Sequence, residues 1–166
     1  KRELYKVCRE GNFTSFPGLY GWFFRNCNTL PLSSNVGTMK KFLSAVKTLL
    51  ARNAKILIYP EQGMWWNYRK PRPTESGAYK IAAMNKVPII PLFITMNDSE
   101  LIGGDGFPIQ EYTIHILPAI YPKEDAGVKE NCEYLQKENY RVCKEVYEKV
   151  YGIPLVYDGK NYTDIK

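Results

Sequence analysis

The chain has 166 residues, 45% hydrophobic and 24% charged, which is ordinary for a globular domain with a core of its own. No apolar run approaches the roughly 18 residues of a membrane span, and no secretory signal pattern opens the chain. A formal charge of +6 points to anionic partners, namely phosphate ligands, acidic lipid surfaces or nucleic acid, with a merely basic soluble protein as the plain alternative.

In chain order, residues 1–10 are polar and read as the end of a strand or helix begun upstream. Residues 13–24 (F-T-S-F-P-G-L-Y-G-W-F-F) hold too many breakers for a long helix, though 19–24 suit one short apolar turn. A short strand is expected at 29–32 and a loop at 33–37. The clearest early helix is 38–53: Met39, Phe42, Leu43, Val46, Leu49 and Leu50 recur at three and four residues, with Thr38 as N-cap and Asn53 as stop.

The stretch 55–96 organises the rest. Residues 56–59 and 87–94 are short, β-branched apolar runs, which predicts buried neighbouring strands of a parallel sheet. Residues 77–85 between them suit a helix, completing a βαβ crossover. Residues 97–108 read as a surface loop and 112–117 as a strand. Residues 128–151 form a long amphipathic helix, with Gly152 past its end and Pro154 beyond. The fold class is α/β, a mostly parallel sheet with flanking helices, in one domain over 1–155 followed by a loose polar tail at 156–166.

Four cysteines, Cys8, Cys27, Cys132 and Cys143, include no C-x-x-C pair. Eleven helical residues put Cys132 and Cys143 about 16 Å apart, too far for a disulfide. Reduced thiols in a cytosolic compartment are expected, and no metal set is evident with one histidine.

Chemistry gathers just after the run 56–59, at the strand edge where open α/β sheets bind ligands. Glu61 can anchor a hydroxylated or cationic group, or lie on the surface as an ordinary loop carboxylate. Arg69, Lys70 and Arg72 fall within four residues with no acid between Glu61 and Glu75. Charge-assisted hydrogen bonds from such a run would hold a phosphate, and Pro71 and Pro73 stiffen the loop. The alternative is a solvated basic face. Trp65 and Trp66 admit three placements: a membrane-interface anchor, a wall of an apolar groove, or packing beneath the loop. His115, a lone histidine on an apolar strand, reads as structural. G-x-G-x-x-G, Walker A, G-x-S-x-G and H-E-x-x-H patterns are all absent.

I-L-I-Y-P-E-Q-G-M, a helix opening at Gly77, and V-P-I-I-P at 87–91 together resemble the glycerolipid acyltransferase family, which includes the 1-acylglycerol-3-phosphate (lysophosphatidic acid) acyltransferases. The longer run P-E-Q-G-M-W-W-N-Y-R-K-P-R-P is similar to a bacterial branch, and the resemblance is closest over 1–96. It implies an incomplete glycerol-3-phosphate acyltransferase-like domain. The family's catalytic H-x-x-x-x-D occurs nowhere in the chain, so the resemblance implies no catalytic residue here and places that motif upstream of Lys1. The arginine of the family's P-E-G-T-R aligns with Met64, leaving Arg69, Lys70 or Arg72 to meet the phosphate. The arginine that usually ends the family's second motif is replaced near Ser33 or Ser34.

The implied reaction is transfer of an acyl group from acyl-CoA or acyl-carrier protein to a lysophospholipid hydroxyl, with no metal or prosthetic group. Glu61, with Gln62 and Gly63, would position the glycerol. Val87, Pro88, Pro91, Trp65 and Trp66 would line the acyl groove. The expected partners are a lysophospholipid, an acyl donor and an anionic membrane surface at the cytoplasmic face, bound peripherally. Nucleic acid is not expected. The alternative is a non-catalytic module binding anionic membrane or phospholipid.

Overall fold

The structure, a computed structural model, describes residues 3–63 and 67–157. They fall into two compact units, Lys1–Tyr59 and Pro60–Lys166.

In the first unit the order is β1 (Leu4–Arg9), α1 (Glu10–Thr14), α2 (Gly18–Asn26), β2 (Thr29–Leu32), α3 (Val36–Ala51) and β3 (Lys55–Leu57). The polar opening segment is therefore the central strand of a parallel sheet ordered β2-β1-β3. Lys6 lies opposite Thr29, and Tyr5 opposite Ile56. Parallel pairing requires crossover connections, which α1 with α2 and then α3 supply. Helix α3 starts two residues earlier than its apolar period suggests. Asn35 is the N-cap: its side chain accepts the Thr38 backbone N–H at 3.1 Å, so Thr38 is the capped donor. Phe42 and Val46, one turn apart, are its buried contacts, and Asn53 ends the run in the left-handed region at φ 59°.

The second unit contains α4 (Gly77–Asn85), β4 (Leu92–Ile102), β5 (Pro108–Ile116) and α5 (Val128–Tyr151). Ala82 and Ala83 let α4 approach α5 closely, and with Tyr79 and Leu135 they make one core cluster. Phe93, Cys143, Tyr147 and Leu155 make a second. Burial raises the Cys143 thiol pKa to about 12, which keeps it a protonated apolar side chain. Asn131, buried on α5, accepts the Lys123 N–H and donates to the carbonyls of Lys123 and Ala126, fixing the turn before the helix. Gly152 closes α5 at φ 67°.

Three expectations are corrected here. The run 87–94 does not supply a strand of a parallel sheet: β4 pairs antiparallel with β5, while β3 of the first unit pairs parallel with β1. Residues 87–91 carry only a bridge between Ile89 and Ile120, because Pro88 and Pro91 have no N–H to give a ladder. Nor is β4 buried on both faces. Phe93 and Thr95 are buried while Leu92 and Ile94 are exposed, the one-sided pattern of an antiparallel sheet. Second, the loop expected at 97–108 shrinks to a tight turn, in which the Gly103 N–H reaches the Phe107 carbonyl and Gly106 takes φ 82°. Third, the tail expected to be loose is anchored near its start: the Tyr157 hydroxyl donates to the Pro71 carbonyl.

Candidate functional site

Residues 60–75 leave and return to nearly the same place. The Glu75 N–H donates to the Pro60 carbonyl at 2.9 Å, and the Arg72 N–H donates to Glu61 Oε1 at 3.1 Å. Sequence chemistry explains the second bond. Pro71 and Pro73 have no backbone donor, so Arg72 holds the one N–H of that tripeptide, and the carboxylate takes it. Burial raises the pKa of half-buried Glu61, while the Arg72 N–H and the Arg72 charge pull it back.

The Arg72 guanidinium lies against Gly63. A Cβ built on Gly63 would overlap Arg72 Nη1 and stand 3.4 Å from Cζ. Glycine is thus needed for close approach; its φ is not in the left-handed region. Glu61, Gly63 and Arg72 form one constellation, in which a carboxylate and a guanidinium are held side by side by the backbone.

The rest of the loop is fastened to later parts of the same unit. Arg69 pairs with Asp98 at 2.8 Å and lies 6.0 Å from the centre of the Tyr151 ring. Asp98 also accepts from Gln110, and these two hydrogen bonds, Gln110 first, hold its carboxyl below the usual range. The Tyr151 hydroxyl accepts from the Met96 N–H and donates to the Met96 carbonyl. Lys70 Nζ sits 5.7 Å over the Tyr157 ring. Gln136 donates to the Thr74 carbonyl, and the Tyr79 hydroxyl, its pKa raised by burial to about 12, donates to Thr74 Oγ1 at 3.0 Å.

Arg69 and Arg72 therefore turn to different partners, because the Asp98 carboxylate engages Arg69. Asp98, Gln110, Gln136, Tyr151 and Tyr157 carry no local motif in the sequence. Their part in the loop arises only from contacts between residues 12 to 86 positions apart. Gln62 is exposed with φ 53°. Met64, Trp65 and Trp66 lie outside the described residues. Val87 packs on the α4–α5 cluster and Pro91 is buried, its carbonyl accepting the Leu117 N–H, while Pro88 is exposed. A surface groove of about 670 Å³ runs between residues 117–121 and α5, and neither Glu61 nor Arg72 lines it. In the first unit Ser33 is buried, and its hydroxyl accepts the Asn35 N–H ahead of α3. His115 Nε2 is tied across the hairpin to Thr95 Oγ1 at 2.8 Å, and Thr95 is itself buried.

Residues 4–95 match the family model described as Acyltransferase. Among solved structures, the fold is similar to the crystal structure of the 1-acyl-sn-glycerophosphate (LPA) acyltransferase, PlsC, from Thermotoga maritima. Identity is 19% and the TM-score 0.55, and the likeness covers 86% of this chain and 56% of that one. At this identity the similarity is one of fold, and the chain spans little more than half the length of that protein. No curated protein matches the sequence.

Proposed function

This chain belongs to the Acyltransferase family, and on that premise we propose that it serves transfer of an acyl group from acyl-CoA or acyl-carrier protein to the hydroxyl of a lysophospholipid such as 1-acylglycerol-3-phosphate. The observation that carries the reading is that Glu61 holds the Arg72 backbone N–H while the Arg72 guanidinium rests against Gly63, inside the family-matched segment. A carboxylate that accepts from a glycerol hydroxyl, beside a guanidinium that meets phosphate oxygens, suits a glycerol phosphate acceptor. Arg69 and Lys70, expected as further phosphate contacts, take the role of anchoring the loop.

In the proposed reaction the acceptor hydroxyl gives its proton to a base, and its oxygen attacks the thioester carbonyl. The C–S bond then breaks, leaving an ester and a thiol. A thioester is already activated, so the step calls for no metal or prosthetic group. The base is not among these residues: the chain's one histidine, His115, has Ile120 where an H-x-x-x-x-D motif would need aspartate. Binding and orientation are the contributions assigned to this chain. Among the described residues no helix is long and apolar enough to cross a membrane. Peripheral attachment to an anionic surface at the cytoplasmic face is the proposed location. The missing base favours a second reading for the chain in isolation, a phospholipid-binding module without turnover.

Two measurements test this. By calorimetry the chain should bind glycerol 3-phosphate, and Arg72→Ala should weaken binding roughly ten- to hundred-fold, the loss of a charge-assisted contact worth about 1.5–3 kcal/mol. Thioester consumption with 1-acylglycerol-3-phosphate as acceptor should equal the protein-free blank, since a positioned base supplies a factor of about 10² to 10⁴. Unchanged binding in Arg72→Ala would remove the phosphate site. Turnover abolished by His115→Ala would overturn the assignment of that histidine.

A further inference from the structure

The positive charge is not spread along the chain. Residues 1–59 hold ten Lys and Arg against two Glu, a formal +8, while residues 60–166 hold thirteen against fifteen acids, a formal −2. The excess charge of the protein therefore belongs to the first unit, the one that carries α2.

Helix α2 (G-L-Y-G-W-F-F-R-N) has its apolar side outward. Leu19 is 68% exposed, Tyr20 74%, Trp22 53% and Phe23 47%. Leu19, Trp22 and Phe23 stand at i, i+3 and i+4 and so share a stripe. Trp22 and Phe23 meet edge to face with ring centres 5.4 Å apart. The opposite side is the packed one. Gly21 is buried, and a Cβ there would collide with the Phe16 carbonyl and stand 2.8 Å from the Arg25 guanidinium. Phe24 stacks on Phe16 at 5.6 Å, and Arg25 donates to the Phe13 carbonyl. The side of the helix with Gly21 and Phe24 thus packs on the protein, while Leu19, Tyr20, Trp22 and Phe23 face out, the reverse of a helix built to seal a core.

From this juxtaposition we infer that α2 is a membrane-docking helix, which lays Leu19, Tyr20, Trp22 and Phe23 into the interface of an anionic bilayer while the +8 unit is drawn to its surface. Indole and phenol rings favour the depth where one end is apolar and the other wet. Cationic charge near an acidic leaflet adds attraction that salt screens. The two terms together give the stable, reversible attachment that either alone does not. The inference names the surface through which the membrane partner of the proposed function would be met. It does not depend on the Glu61–Arg72 constellation.

The test is co-sedimentation of the chain with equimolar phosphatidylcholine–phosphatidylglycerol vesicles and with pure phosphatidylcholine vesicles. Leu19→Ser/Trp22→Ser is compared with the parent, and Tyr20→Ser is a second variant at the most exposed of the four positions. These neutral changes leave the charge untouched, so a loss reports apolar insertion. The parent should prefer the anionic vesicles and lose affinity with added salt. The double variant should bind about tenfold more weakly or worse, with unchanged melting temperature and unchanged affinity for glycerol 3-phosphate. Loss of glycerol 3-phosphate binding in Arg72→Ala with vesicle binding intact would keep the two readings separate. Equal vesicle binding by parent and double variant would overturn the inference, whether attachment then ran through Trp65 and Trp66 or through charge alone. Self-association through Leu19 and Trp22 without vesicle binding would overturn it too, by making a second copy the occupant.

Discussion

Replacing Gly63 with alanine isolates the role of Arg72 without touching a charged group. The backbone at Gly63 is not left-handed, so alanine adds no conformational strain there. The added methyl would nevertheless occupy the position of Arg72 Nη1 and press on Cζ at 3.4 Å and Nη2 at 3.7 Å. All three atoms lie at the far end of a flexible side chain, so the guanidinium moves away and the fold is largely spared. A shift of about an ångström is enough to spoil a charge-assisted hydrogen bond to a phosphate, whose optimum lies near 2.7–2.9 Å. The expected loss is that of a charge-assisted contact, about 1.5–3 kcal/mol, or roughly ten- to hundred-fold in the dissociation constant for glycerol 3-phosphate. Calorimetric titration of parent and Gly63→Ala, with thermal unfolding of both, reads the two quantities separately. Melting temperatures should agree closely while affinities diverge. Equal affinities would refute the reasoning, since the guanidinium could then leave its place over Gly63 without consequence. A large fall in melting temperature would show instead that the contact holds the loop together.

The raised pKa of Glu61 sets a sign for pH dependence. As pH rises from 4.5 towards the folded-state value, the unfolded carboxyl loses its proton first, so stability falls across that window. Glu61→Gln does not titrate, and the parent should therefore lose stability relative to this variant as pH rises through the window; a gain in denaturant titrations would contradict the burial-dominated shift. Leu135 has 0% exposure in the α4–α5 cluster, and Leu135→Ala should cost about 2–5 kcal/mol by urea unfolding, with a loss below about 1 kcal/mol counting against that core. Arg69 and Asp98 are 32% and 49% exposed, so a double-mutant cycle should give a coupling of only about 0.2–1 kcal/mol. A coupling several times larger would show that the pair is desolvated by something absent from this geometry.

Helices α4 and α5 were legible to the residue, because a 3.6-residue apolar period, a Gly-led start at Gly77 and a Gly–x–Pro stop at 152–154 are all local signals. The family resemblance was legible for a related reason: two short motifs at fixed spacing persist as text. Strand partners were not. An apolar run such as 87–94 states that it wants burial and not against what, and only the fold shows 92–94 joined to β5 while Pro88 and Pro91 end the ladder. The candidate site divides in the same way. Glu61 and a basic, proline-stiffened loop could be read from residue types. Which arginine would serve could not, because the competitor for Arg69 is Asp98, 29 residues further on, and the space for Arg72 is the missing Cβ of Gly63. Local propensity acts over a few residues, whereas a carboxylate captures a guanidinium through space, so the assignment waits until the chain has brought them together.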